Sequence, residues 1–130
     1  MASKRTIEAI RDLYAAGTDD ESTLTALVSM LASLRAAGDE DDILLVAEEA
    51  ALRATVIGQF EIASQLWAEL CALRPGDALT RFILAHALER CGRVDAAIAA
   101  LEQCASLQPV GEDPNTTLPV ARELERLRRR

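Results

Sequence analysis

The chain has few aromatic residues. Its 130 residues include one Trp, one Tyr and two Phe, although half are hydrophobic. That apolar half is mainly Ala and Leu, the strongest helix formers, whereas β-branched and aromatic side chains favour pleated sheets. The composition therefore points to an all-α protein. It also argues against a disordered chain, which could not supply so much apolar surface.

A basic surface is missing too. Fourteen Lys and Arg face twenty-one Asp and Glu, for a formal net charge of -7 and a pI near 4.7. A nucleic-acid binder needs clustered cations to neutralise phosphates, so that class of partner is excluded. The one basic cluster, Arg126, Arg128, Arg129 and Arg130, is interleaved with Glu123 and Glu125, and cations suit the last turn of a helix. No run approaches the ~20 apolar residues that span a bilayer, so no membrane insertion is expected. Residues 1–5 lead straight into an amphipathic stretch with no apolar signal core, and the expected setting is cytoplasmic.

Catalytic equipment is scarce. There is a single histidine, His86, with no G-x-S-x-G, no phosphate-binding glycine loop and no close Cys–His spacing. Glu48 with Glu49, and Glu89 with Arg90, are adjacent pairs, and adjacent residues on a helix project apart. No catalytic residue, and hence no enzyme, is expected. Cys71, Cys91 and Cys104 are odd in number and contain no C-x2-C pair. They read as buried core thiols rather than as disulfides or zinc ligands. No metal and no cofactor is implied.

What is present is a succession of helical patterns in one domain's length of chain. Ile7, Ile10, Leu13 and Tyr14 share one face of a first helix that Gly17 stops. Leu24, Leu27, Val28, Leu31 and Leu34 mark a second, which ends at Gly38. Acidic and capping residues stand before the second helix (Asp19 to Ser22) and the third (Asp39 to Asp42), where they suit helix N-termini. A last helix is expected over 118–129, with Thr117 as N-cap, Pro119 in its first turn, and Leu118, Ala121, Leu124 and Leu127 as its apolar stripe.

The strongest signal is an internal repeat of 34 residues. Gly58 pairs with Gly92, Phe60 with Val94, Ala63 with Ala97, Trp67 with Leu101, Leu73 with Leu107 and Pro75 with Pro109. The glycine suits a tight corner between antiparallel helices, where positive φ is cheap only without a Cβ. The small alanine lets the second helix approach the first, the large residue fills the space beyond, and the proline ends the helix. Shifted back by another 34, the pattern fails: Leu24 falls opposite Gly58 and Asp41 opposite Pro75.

This pattern resembles the tetratricopeptide repeat over residues 44–111. The strings GQFEIASQLWAELCALRP and GRVDAAIAALEQCASLQP carry the likeness, with Ala51 and Ala85 at the small positions of the first helices. The aromatic positions of those helices hold Ala47, Ala54, Arg81 and Leu88 instead. The resemblance implies one all-helical domain over 1–130, with hairpins stacked as a short right-handed solenoid. It divides into an N-terminal helix pair (6–38), two repeats (44–77 and 78–111) and a C-terminal capping helix (117–130). The first helix of each repeat would line a concave groove. Groove positions by resemblance are Leu45, Glu48, Glu49, Leu52, Val56, Leu79, Phe82, His86, Glu89 and Arg90. Those places hold mostly Glu, Leu, Phe and His rather than the Lys, Asn and Arg with which repeats of this family clamp chaperone C-termini.

The expected function is that of an adaptor or chaperone holding a protein or peptide segment with apolar anchors, with Leu52 and Phe82 as its contacts. Residues 58–107 are also similar to the type III secretion chaperones that hold translocator proteins, though those have three repeats and more aromatic first helices. Alternatives are a self-associating structural subunit, a homodimer through the N-terminal helices, and an accessory module of a larger assembly that docks through its Arg-rich end.

Overall fold

The computed structural model describes residues 1–107 and 118–130, and every regular element among them is a helix. In chain order these are α1 Lys4–Ala15, α2 Asp20–Ala37, α3 Glu40–Val56, α4 Phe60–Leu73, α5 Ala78–Arg90, α6 Val94–Leu107 and α7 Val120–Arg128. The protein is an all-α helical repeat. It divides into two compact units, Met1–Leu66 and Trp67–Arg130, with the boundary inside α4.

Helix starts follow local chemistry. Ser3, Asp19, Asp39 and Asp77 each sit at an N-cap, and their side chains accept backbone N–H bonds that the first turn would otherwise leave unmade. The two acidic runs are therefore helix caps and first turns. Asp42 does more. It is buried inside the first unit, where it accepts the Ser3 N–H at 2.6 Å and the Ser3 hydroxyl at 2.9 Å. These bonds hold its carboxyl below the usual range and tie the start of α1 to the start of α3.

The 34-residue period reappears as backbone geometry. Gly58 and Gly92 both have φ of 80°. Their N–H groups donate to Thr55 and Glu89, while Gln59 and Arg93 donate to Ala54 and Leu88, every acceptor 34 positions from its counterpart. Helices α4 and α6, which follow, are each 14 residues long. The residues assigned to close packing are buried in both copies: Ala63 and Ala97, Trp67 and Leu101, Ala51 and Ala85. Pro109 lies outside the described residues.

The first hairpin, α1–α2, turns on Gly17 at φ 65°, whose N–H donates to Tyr14 much as Gly58 donates to Thr55. The 34-residue shift misses it because the elements between are longer. α2 has 18 residues against 14 in α4, and α3 has 17 against 13 in α5. Helices α2 and α3 pack on each other. Leu27, Leu31, Val46, Ala47, Ala50, Ala51 and Ala54 are all fully buried.

In the second unit α5 and α6 run antiparallel, with the Cys104 thiol donating to the Ala78 carbonyl at 3.2 Å. Helix α7 packs on α6 through Val120, Leu124 and Leu127, all buried, while Ala121 is exposed. The stripe thus runs through Val120 instead of Ala121. Both positions fit a helical spacing, and the larger side chain removes more apolar surface from water. Pro119 is the N-cap itself and offers no side-chain bond; Thr117 lies outside the described residues.

The corner glycines are testable without steric confusion. A Cβ at Gly92 would meet nothing within 4 Å, and the same holds at Gly76, which lacks a positive φ. Gly92→Ala should therefore destabilise by about 1 kcal/mol from backbone conformation alone. Gly76→Ala should be neutral or slightly stabilising, both read from urea unfolding midpoints.

Candidate functional site

The positions expected to face a partner sit on α3 in the first unit and on α5 in the second. They correspond at the repeat spacing: Leu45 with Leu79, Glu48 with Phe82, Leu52 with His86, Val56 with Arg90. On α3, the alanine-rich face is consumed by packing, and this leaves the other face outward. Leu52 is 46% exposed and Val56 76% exposed, while Leu45, Glu48 and Glu49 are half-buried. Single exposed leucines are ordinary on protein surfaces. A helix that shows Leu52 and Val56 four residues apart presents a strip.

Tyr14 of α1 borders this strip. Its hydroxyl donates to Glu49, and the guanidinium of Arg53 stands 5.4 Å from its ring centroid. Arg53 in turn binds Asp20 at the start of α2. Burial and the Glu49 bond push the Tyr14 phenol up from its usual value. Tyr14, Glu49, Leu52, Arg53 and Val56 line a shallow depression of about 210 Å³. Glu49 is thus spent on holding α1, whereas Leu52 and Val56 are available to an outside group.

On α5, Leu79 is 52% exposed. Phe82 is half-buried and meets His86 edge-on, with centroids 4.9 Å apart and planes at 75°. His86 and Arg90 are exposed. Glu89 is not: its side chain is 13% exposed and is clamped by Arg126, whose two terminal nitrogens donate at 2.8 and 2.6 Å, and by Arg130 at 2.7 Å. Arg126, with Arg130 adding to it, holds the Glu89 carboxyl down to about 2. Arg126 also bonds Glu123 of its own helix, and Arg128 reaches Glu102 of α6.

The basic C-terminal cluster is therefore largely a clamp for α7. His86, Glu89 and Glu123 each bring a ligand atom within 4.8 Å of the others. The cation these carboxylates already hold is the Arg126 guanidinium. A metal there would have to break the bidentate pair and sit beside a fixed positive charge.

The thiols of Cys71 and Cys104 are buried, and burial pushes both up. Cys91 is partly exposed at the C-cap of α5, unlike the other two. Sequence reasoning missed Tyr14, Arg53 and Arg126 as neighbours of the strip residues. Their partners lie 33 to 37 positions away, and no spacing rule marks such pairs.

No protein-family model matches the chain, and no curated protein matches it. Among solved structures, a mutant O-GlcNAc transferase of Thermobaculum terrenum is similar at 23% identity and a TM-score of 0.44. The match covers 72% of this chain and 21% of that one, so the chain spans about a fifth of that protein's length. So loose a likeness carries neither fold detail nor activity across. The helical-repeat assignment rests on the recurring corners and buried positions described above.

The Glu89 clamp has a pH signature. A carboxyl held at about 2 against an ordinary 4.5 contributes stability that is complete above about 4.5 and lost as pH falls toward 2. Glu89→Gln should cost about 1 kcal/mol at neutral pH. It should also flatten the acid limb of the unfolding midpoint between those pH values, as followed by circular dichroism.

Proposed function

We propose that the chain is a protein-binding helical repeat that holds partner segments against exposed apolar side chains within each unit, on α3 in the first and on α5 in the second, and that it acts without catalysing a reaction. One observation carries this reading. Helices whose inner faces are fully packed still present Leu52, Val56 and Leu79 to solvent at 46, 76 and 52% exposure. Apolar anchors of this kind, set at helical spacing, suit an extended or amphipathic peptide. No described helix is long and apolar enough to cross a membrane, and the proposed setting is the cytoplasm.

Within that reading, the finer role is a chaperone or adaptor that keeps a client segment covered, as type III secretion chaperones do. The similarity over residues 58–107 supports it. A self-associating subunit joined through Leu24–Leu34 is the weaker alternative. Leu24, Leu27 and Leu31 are buried within the first unit, which leaves Val28 as the exposed large residue of that stretch.

The test compares the tagged full chain with a Leu52→Glu, Leu79→Glu variant, identifying retained proteins by mass spectrometry. Placing carboxylates in apolar contacts costs several kcal/mol. One stoichiometric partner should disappear from the variant while its helical circular dichroism stays unchanged. A partner retained equally by both proteins would move the interface elsewhere, and a fall in mass by light scattering in the variant would favour self-assembly.

A further inference from the structure

Charge is divided unevenly between the two units. Met1–Leu66 carries five Lys and Arg against twelve Asp and Glu, a net of -7, whereas Trp67–Arg130 carries nine against nine. The entire excess of the protein therefore belongs to the first unit.

Within that unit the net charge concentrates at one end, because at the other Asp39, Glu40, Asp41 and Asp42 are opposed by Lys4, Arg5 and Arg35. Tyr14 on Glu49 and Arg53 on Asp20 bring together the end of α1, the start of α2 and the later part of α3. That end holds Asp12, Asp19, Asp20, Glu21, Glu48 and Glu49, opposed by Arg11 and Arg53. Two of the cations' possible roles are already taken: Arg53 is bound to Asp20 and stacked on Tyr14. The exposed strip of Leu52 and Val56 lies at this same end. Glu48 precedes Leu52 by one helical turn on α3 and so shares its face.

Resting on the protein-binding reading above, we infer that the strip at the end of α3 docks a cationic amphipathic segment, one with an apolar face for Leu52 and Val56 and Lys or Arg on its flanks. The apolar strip supplies contact area, and the surrounding carboxylates supply attraction and register. The same charge decides against other occupants. Nucleic acid and anionic lipid surfaces are repelled by it. A second copy of this chain would bring a like-charged unit against itself.

The test uses the full chain and two fluorescein-labelled amphipathic peptides of equal length, one of Leu and Lys, the other of Leu and Glu, read by fluorescence anisotropy. The Leu–Lys peptide should bind, and its affinity should fall several-fold between about 50 and 200 mM salt as screening shortens the reach of the carboxylates. Leu52→Gln with Val56→Gln should weaken it about tenfold or more, whereas Val28→Gln, which alters another exposed apolar residue of the unit, should leave it unchanged. Glu48→Gln should weaken binding and reduce its salt dependence.

Equal binding of the Leu–Glu peptide, equal loss with Val28→Gln, or no binding of either peptide would overturn the inference. So would a dimer that dissociates in the Leu52→Gln, Val56→Gln variant, because it would name a second copy as the occupant. In any of those cases, loss of a stoichiometric partner from the Leu52→Glu, Leu79→Glu variant would leave the broader protein-binding reading standing.

Discussion

Each hairpin corner turns on a residue that must adopt left-handed backbone, and the packing around it follows from that requirement. At Gly58 and Gly92 the chain reverses within three residues, which leaves no freedom in the rotation of the incoming helix relative to the outgoing one. Once that rotation is set, Ala51 and Ala63 around the first corner, and Ala85 and Ala97 around the second, fall into the buried seam. Small side chains there allow close approach, and close approach is how a core with so few aromatic residues reaches native density. The outward faces of α3 and α5 are the remainder of the same geometry. Leu52, Val56 and Leu79 are exposed because the inner positions beside them have been filled.

Polar contacts then attach the flanking helices. In the first unit α1 is held to α3 at both ends, by Ser3 on Asp42 and by Tyr14 on Glu49. In the second, α7 rests on α6 through its apolar stripe, and Arg126 and Arg130 fasten its end to Glu89 of α5. Both arrangements engage a carboxylate on the later part of a hairpin's first helix. The shared consequence is that Glu49 and Glu89 are structural groups first. The acidic character available to a partner comes from exposed acids of the first unit such as Asp12 and Glu21.

In the proposed docking, that division between acids used internally and acids left over sets the selectivity of the surface. A partly buried pair with bidentate geometry, such as Glu89 with Arg126, is little affected by salt. Exposed carboxylates around an apolar strip act over roughly a Debye length and weaken as ionic strength rises. Anchoring and steering are thereby assigned to different residues, and each can be altered without unfolding the other.

How much of this was legible in the chain depends on the range of the interaction concerned. Helix content, cap residues, the corner glycines and the buried alanines are local matters. They follow from propensity, backbone conformation and periodicity, so composition and the 34-residue spacing sufficed to name them. The α1–α2 corner escaped the same reading because α2 and α3 are each four residues longer than their counterparts, and a fixed shift cannot detect a changed period. The face of α7 was ambiguous between Val120 and Ala121, since helical spacing admits both and only the surface of α6 chooses. Tertiary structure alone decided which charges are free. Glu89 and Glu49 look like their exposed neighbours in sequence, and their roles were set by side chains more than thirty positions away, where attraction depends on folded distance rather than on order along the chain.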